Sequence, residues 1–469
     1  MGKTERIKQN NRADMMLNQP LPRVILTMAY PTIIGFLINS IYSMADIYFV
    51  SSLGTNATAA VSVNSSLDSF IMVAGSLFAS GCSSYVSRLL GAGNKEKANE
   101  TVSSSFFIAM AIGTLIMITG ILFRRPMVRF FGATPTCEKY AMDYASYVLY
   151  AAPFMAASYV MNQSLRAEGS ALYSMFGTGI GGVINIFLDP LFIRGLNMGV
   201  AGASLATAIS KLISFSILIF PYLSHRSLLK LGFRHFKPER VMMKEVLSVG
   251  SSQMFRTLLT IVSGILLNKE AGRISDAVLA SIGVTNKCTM FFFSIILGFS
   301  GGFQPVIGYN WGAKRYDRVR ESFRFASVTA AAGSAVMGLG CVIFAPSIIN
   351  FFSSGDPELL KLGTLCLRMQ GIALPIHAWV AVVNSMAAGF GKAKITVMLA
   401  TARQGTCFIP LLYPLSRLFG AGGLASVQAA ADVLTLALAI PALIVLKKFI
   451  ANAEKQHEGE LKAAEMNNI

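Results

Sequence analysis

The sequence predicts an all-α integral membrane protein of about twelve transmembrane helices, in two pseudo-symmetric six-helix lobes around a central cleft. The first observation is composition: 54% of the 469 residues are hydrophobic and 13% are charged. A soluble domain carries about 25% charged residues, so the composition argues against a soluble enzyme. The second is length, because the apolar runs reach about 20 residues, enough to cross a ~30 Å hydrocarbon layer as helices. The third is a repeat across the chain midpoint.

Each apolar run is long enough for one membrane-spanning helix. The runs lie near residues 24–50, 60–88, 101–123, 141–164, 170–193, 200–222, 245–268, 277–309, 322–345, 359–389, 395–418 and 424–446. Pro31 lies inside the first run, where it removes a backbone hydrogen bond and bends the helix. The first twenty residues are polar, which predicts that the first helix anchors the protein and that no signal peptide is removed.

The basic residues predict the orientation of these helices. The formal net charge is +17, from 40 basic and 23 acidic residues. With the N-terminus inside, 26 of the 40 basic residues fall on the inner side and nine on the outer side. Basic loops stay in the cytoplasm, so both termini are predicted to be cytoplasmic. The segment 124–139, with its RRPMVRFF cluster, is the exception, and an error in the helix count would lie there.

The longest polar connection, residues 223–244, is basic and close to the chain midpoint. Across it, segment 59–98 is similar to segment 278–317, unless two apolar stretches with small residues coincide by chance. Six spans on each side predict two parallel repeats facing a cleft. The predicted organisation is a lobe over 1–222, a cytoplasmic linker over 223–244, a lobe over 245–450 and a cytoplasmic polar tail over 451–469.

Ionisable side chains within spans are costly in a bilayer, so each is a candidate for function. They are Asp46, Asp68, Asp189 and Lys211 in the first half, and Arg256, Lys287, Arg368, His377, Arg403 and Asp432 in the second. The first set is mainly acidic and the second mainly basic. A site that binds a proton or a small cation is therefore predicted in the first half.

The candidate coupling site consists of Asp46, Asn185, Asp189 and Thr207, and the first, third and fourth of these lie at similar predicted depth. Asn185 and Asp189 are four residues apart and share a helix face, as do Tyr42 and Asp46, with Asn39 one turn further. Paired carboxylates with amide and hydroxyl oxygens suit proton exchange or a hard cation such as Na⁺. The alternative is that Asp46 and Asp189 end their helices in the headgroup layer.

Fewer residues of the second half of the chain can be given a functional role. Arg403 and Gln404 are predicted to face the cleft, the alternative being that Arg403 extends to the inner interface. Asp68 and Lys287 occupy equivalent repeat positions and pair either across the lobes or each within its own lobe. We find no nucleophile with a base, no CxxC pair and no basic patch with interleaved aromatics. The sequence thus predicts no enzyme, no cofactor, no nucleic-acid partner and no metal except Na⁺ at the coupling site.

Several segments together resemble the multidrug and toxic compound extrusion (MATE) transporters, over residues 20 to 450. They are YPTIIGFLINSIYSMADIYFVSSLG, RLLGAGNKEKA, LRAEGSALYSMF, NIFLDPLFI, GVAGASLATAIS and QPVIGYNWGAKRYDRV. The segments QPVIGYNWGAK and RQGTCFIPLLY look most similar to the bacterial MepA-type subgroup.

The resemblance implies an antiporter that exports cationic aromatic compounds in exchange for H⁺ or Na⁺. We expect it in the bacterial cytoplasmic membrane and functional as a monomer, although the sequence itself does not specify an oligomeric state. By position, Asp46, Asn185, Asp189 and Thr207 match the family's first-lobe cation site. Tyr42 and Asn162 match cleft residues, and Pro31 matches a helix-bending proline. Another branch couples through second-lobe acids, where this chain has Arg256 and Arg368.

One alternative function remains open from the sequence, and two others are disfavoured. The basic second half is compatible with a flippase for lipid-linked saccharides, which carry anionic headgroups. A major facilitator carrier also has six plus six helices, but RLLGAGNKEKA lacks its loop pattern. A passive channel would not require paired buried carboxylates. The choice between H⁺ and Na⁺ is open because the same oxygen ligands suit both.

Overall fold

The computed structural model describes residues 12–51, 53–353 and 357–466, and every regular element in these ranges is helical. The helices are α1 (Leu21–Ser51), α2 (Thr55–Gly91), α3 (Lys95–Leu122), α4 (Arg124–Phe130), α5 (Glu138–Ala167), α6 (Ala171–Pro190), α7 (Gly199–Leu223), α8 (Arg240–Ile274), α9 (Asp276–Gly312), α10 (Tyr316–Ser353), α11 (Pro357–Gly389), α12 (Ala393–Thr401) and α13 (Phe408–Met466). Two π-helical turns, Leu191–Gly195 and Ala402–Thr406, follow α6 and α12, and Phe233–His235 form a 3-10 turn.

These helices provide twelve membrane spans. Nine helical segments of the described residues are long and apolar enough to cross a bilayer. The long helices α5 and α8 are more polar and add two. The last of the nine segments, residues 393–463, contains two spans, because Gly420 (φ 56°, ψ −132°) interrupts the helical backbone within α13. The predicted fold class is confirmed.

The observed helices extend beyond the apolar runs. The largest difference is at the C-terminus, where the predicted polar tail is a continuation of α13 to Met466. Its side chains contact α10 and the turn before it: Lys314 Nζ lies 3.0 Å from Glu460 Oε2, and Arg320 pairs with Glu454. A helix satisfies its own backbone in water as well as in lipid, so hydropathy marks where the apolar run ends and not where the helix ends.

The chain forms two lobes, α1 to α7 and α8 to α13. The lobes meet where α1 packs on α9 and α2 packs on α8. At the second crossing, a Cβ on Gly81 would lie 1.8 Å from the Val246 carbonyl oxygen, and one on Gly250 would lie 1.7 Å from that of Leu77. No side chain fits at such distances, so glycine allows the two backbones to touch.

One end of the bundle is the terminal face, defined by residues 12–20, the turn 168–170, the loop 224–239 and the turns 92–94, 313–315 and 390–392. A buried carboxylate, Glu168, joins three of these segments. It accepts hydrogen bonds from Arg12 Nη1 (3.0 Å), Ser227 Oγ (2.6 Å) and the backbone N–H of Leu228 (2.7 Å). The loop contained in the predicted linker is therefore held against the N-terminal lobe.

The opposite end carries the basic segment that disagreed with the predicted orientation. Its residues form the short helix α4, which packs on α5 and does not add a span. Arg129 Nη2 lies 2.8 Å from Glu138 Oε2, and Arg125 pairs with the same carboxylate. The basic cluster is thus partly neutralised, and the count of twelve is unaffected.

Candidate functional site

A cavity of about 240 Å³ lies between the lobes, walled mainly by the N-terminal lobe. Seven of the candidate residues named from the sequence line it: Pro31, Asn39, Tyr42, Asn162, Asn185, Thr207 and Lys211. The C-terminal lobe contributes Gln253 and Thr257 of α8. The Asn162 amide donates to the Ser174 carbonyl (3.1 Å), which fixes α5 against α6 along one wall.

Three carboxylates of the N-terminal lobe are close enough to interact electrostatically. Asp46 interacts with Asp68 and with Asp189. Asn185 Nδ2 lies 3.4 Å from Asp189 Oδ1, so the predicted i, i+4 pair on α6 makes contact. The structure therefore brings the predicted residues of α1 and α6 together and adds Asp68 of α2.

Several oxygens of this cluster are buried without a hydrogen-bond partner among the described residues. They are Asp46 Oδ1, Asp68 Oδ1, Asn185 Oδ1, Asp189 Oδ2 and Thr207 Oγ1. Burying an unsatisfied polar atom is costly, and a carboxylate oxygen without a donor is stabilised by a proton or by a cation. The set of carboxylate, amide and hydroxyl oxygens is one that a hard cation prefers.

Lys211 is the cation within this acidic cluster. Its Nζ lies 3.2 Å from the Tyr42 hydroxyl and 5.0 Å from the centre of the Tyr42 ring, and its charge acts on Asp46 and Asp68. Asp68 thus has a basic neighbour within its own lobe. The spacing of Thr207 and Lys211, four residues apart on α7, is the sequence signal that could have joined Lys211 to the site.

Tyr144 of α5 is a further residue that the sequence did not indicate. It is buried, and it interacts electrostatically with Asp46 and Asp68. Its hydroxyl supplies a group that can both donate and accept a hydrogen bond beside the carboxylates.

Arg403 and Gln404 lie in the C-terminal lobe and are not among the residues that line the cavity. Arg403 Nε donates to Asp432 Oδ1 (2.6 Å), and its guanidinium lies 4.2 Å from the centre of the Phe293 ring. The backbone carbonyl of Gln404 accepts a hydrogen bond from Ser263 Oγ. Both residues belong to the π-helical turn after α12, so their backbone is displaced from the ideal helix assumed in the sequence analysis.

The MatE family model matches residues 31–191 and residues 253–414, once in each lobe. Multidrug export protein MepA of Staphylococcus haemolyticus (strain JCSC1435) is 29% identical over 402 residues, which cover 86% of this chain and 88% of that protein. The predicted similarity to the MepA type is thereby confirmed.

Two solved structures share the fold. A crystal structure of MATE in complex with MaL6 has a TM-score of 0.88 at 23% identity and covers 94% of this chain and 99% of its own. An outward-facing conformation of a multidrug resistance MATE family transporter has a TM-score of 0.87 at 24% identity and covers 94% and 98%. Since the family model matches more than half of the sequence, this chain belongs to the MatE family of multidrug and toxic compound extrusion transporters.

Proposed function

We propose that this protein is an antiporter that exports cationic amphipathic drugs or metabolites in exchange for H⁺ or Na⁺. Asp46 and Asp189 bind the coupling ion, with Asn185 and Thr207 as further ligands. The similarity of the chain to a multidrug export protein supports export of drugs. The main support for the coupling site is the cluster of interacting carboxylates, whose buried oxygens lack hydrogen-bond partners in the described structure.

The site adjoins the substrate cavity, which supports exchange between ion and substrate. Asn185 and Thr207 belong to the cluster and also line the cavity. A cation at the carboxylates cancels the charge that attracts a cationic substrate, so the two ligands exclude each other. Each ligand biases the equilibrium between inward-open and outward-open lobes by its differential affinity for the two states.

We further propose that the protein lies in the bacterial cytoplasmic membrane as a monomer, with its terminal face in the cytoplasm. The excess of basic residues on that side supports this orientation. A cysteine at Arg234, which is exposed in the loop 224–239, tests it once the six native cysteines have been replaced by serine. It should react with a membrane-impermeant maleimide only after the cells are permeabilised, and labelling in intact cells would contradict the orientation.

Transport by the purified chain in proteoliposomes tests the coupling site. We expect an imposed pH gradient or an imposed Na⁺ gradient to drive the fluorescent cation rhodamine 123 in the direction opposite to the ion. The gradient that drives transport identifies the coupling ion. Asp46→Asn and Asp189→Asn remove one charge each at nearly constant volume. Each should abolish gradient-driven movement while leaving a folded, monodisperse protein.

Asp143→Asn is the matched control, because Asp143 is an exposed acid on α5 outside the cluster. It should transport as the unmodified protein does. Full gradient-driven transport by Asp189→Asn would overturn the assigned coupling site. Dye movement at a rate that is independent of both gradients would indicate a passive pore instead of an antiporter.

A further inference from the structure

Arg166 is a buried arginine whose side chain faces the cavity. It lies near the end of α5, one helical turn beyond Asn162, and its exposed fraction is 4%. It lines the cavity together with Pro31, Thr32 and Phe36 of α1. Hydropathy alone places this residue in a cytoplasmic turn, since it lies beyond the apolar part of its helix.

The guanidinium of Arg166 has no acidic partner in the described part of the chain. Its Nε is buried without a hydrogen bond, and no charged side chain there acts on it. The nearest acid in sequence, Glu168, is engaged by Arg12, Ser170 and Ser227. The contact that remains is with the Phe36 ring, whose centre lies 5.9 Å from the guanidinium carbon.

Arg166 also lies at the boundary between the lobes. A Cβ built on Gly301 of α9 would be 3.3 Å from Arg166 Nη1, so the guanidinium fills the space that this glycine leaves. Its position therefore depends on how the lobes meet. A ligand bound to it would lie beside the contact between the lobes.

An uncompensated buried guanidinium is costly, whereas the contact with an aromatic ring is weak by comparison. Arginine remains protonated in proteins, so the cost cannot be avoided by losing the proton. Its planar fork of N–H donors matches a carboxylate, which accepts two parallel hydrogen bonds. An anionic group in the cavity would supply the missing partner.

The two ends of the cavity differ in charge. Pro31 and Tyr42, eleven residues apart on α1, both line it, so it extends for roughly 16 Å along that helix. Arg166 lies at the level of Thr32 and Phe36. At the Tyr42 end, Lys211 is opposed by the carboxylates of Asp46 and Asp68.

We propose that Arg166 binds the carboxylate of zwitterionic aromatic substrates, whose cationic end lies toward the acidic cluster. This inference rests on the proposed export function and narrows its substrate class. The basic end of the cavity disfavours a second cationic group there, so dications would be poorer substrates than zwitterions of the same size.

Two dyes with one chromophore test the proposal. Rhodamine 110 has a free carboxylate, and rhodamine 123 is its methyl ester. We would measure the dissociation constants of both dyes by fluorescence anisotropy with the purified full-length protein, and their transport rates in proteoliposomes. In Arg166→Gln, the preference for rhodamine 110 over rhodamine 123 should fall by about tenfold or more, the effect of one charge-assisted hydrogen bond.

Arg324→Gln removes an exposed arginine of α10 and should leave the preference unchanged. If Arg166→Gln does not fold, Arg166→Lys replaces it, since an ammonium keeps the charge but cannot form the two parallel bonds. It should retain only part of the preference for rhodamine 110.

An unchanged preference for rhodamine 110 in Arg166→Gln would overturn the inference. It would also be overturned if the unmodified protein transported rhodamine 123 but not rhodamine 110. An equal loss for both dyes would indicate a structural role for Arg166 and would also overturn it. If neither dye is transported, the proposed export function fails, and anisotropy still decides whether Arg166 recognises the carboxylate.

Discussion

Buried acidic residues of this protein differ in how their charge is satisfied. Glu168 and Asp189 are both inaccessible to solvent. Glu168 accepts hydrogen bonds from Arg12, Ser227 and the chain after it, whereas Asp189 Oδ2 has no partner among the described residues. The first arrangement holds segments together, and the second is suited to a ligand that comes and goes.

Glu168→Gln should destabilise the fold without changing ion selectivity. The amide keeps the size of the side chain but loses the charge that pairs with Arg12 and turns one acceptor into a donor facing Ser227 or Leu228. We expect a loss of about 2–4 kcal/mol, within the range for breaking a buried charged network. Thermal unfolding in detergent measures it.

Glu460→Gln removes the acid of an exposed ion pair with Lys314 and serves as the comparison. Exposed pairs contribute about 0–1 kcal/mol, so its melting temperature should be nearly unchanged. Equal melting temperatures for the two variants would show that Glu168 does not hold the terminal face together.

The sequence predicts the acidic part of the site better than its basic part. The spacing of Asn185 and Asp189 gives a contact that the structure contains. Lys211 shares a helix face with Thr207, but the groups that it interacts with come from α1, α2 and α5, and spacing along one helix does not reveal them. Arg166 could not be assigned from the sequence, because it enters the cavity from a helix end that hydropathy assigns to a loop.

At the level of elements, α1 connects the cavity with the other lobe. It continues as a helix through Pro31, and Thr32 Oγ1 donates to the Met28 carbonyl (2.8 Å) beside the proline. The same helix packs on α9, and Ser40 Oγ lies 2.7 Å from Ser294 Oγ. A bend at Pro31 would therefore move cavity residues and the lobe contact together.

Pro31→Ala should slow transport more than it weakens substrate binding. Alanine restores the backbone donor that proline lacks, and one such hydrogen bond is worth about 1 kcal/mol in favour of the straight helix. If bending is part of the cycle, the turnover of rhodamine 123 should fall by about fivefold. Rates in proteoliposomes, together with dissociation constants from anisotropy, separate the two effects.

Pro346→Ala is the matched control, because Pro346 is inside α10 and is not among the cavity-lining residues. Its turnover should be that of the unmodified protein. A full rate in Pro31→Ala would remove α1 bending from the mechanism.

The membrane spans could be predicted from the sequence, whereas two shorter elements could not. The twelve spans follow from apolar length, and all of them have a counterpart in the structure. Helix α4 and the π-helical turn at Ala402–Thr406 do not follow, because no apolar period marks them. The π-helical turn changes where Arg403 is directed, and its partner Asp432 is 29 residues away in the chain.

For the whole molecule, the contacts between the lobes determine which side is closed. The glycine crossings of α2 and α8 involve residues 77–81 of α2, toward the end of that helix at the terminal face. Nearer that face, a Cβ on Gly312 would lie 2.0 Å from the Arg88 carbonyl oxygen, and the Arg88 guanidinium pairs with Glu245 (2.8 Å). Near the terminal face, the lobes can therefore be in contact only if their backbones touch.

Gly250→Ala should open the terminal face. The added methyl group would overlap the Leu77 carbonyl, which is backbone and cannot rotate away, so the strain is relieved by moving α8 from α2. Lys97 and Lys394 are both exposed at this face in different lobes, so spin labels on cysteines placed there, in a protein without its six native cysteines, report the separation. We expect their mean distance to increase by several ångström and antiport to fall, since the closed state becomes less populated.

Gly264→Ala changes the same helix where a Cβ has no neighbour within 4 Å, so the label distance and the transport rate should both stay unchanged. If Gly250→Ala matches this control in both measurements, touching backbones are not needed to close the terminal face. If it widens the label distance while transport continues at the full rate, closure of this seam is not a step of the cycle. The expected combination, a wider distance with slower transport, would tie the reciprocal glycines of α2 and α8 to the exchange of ion and substrate.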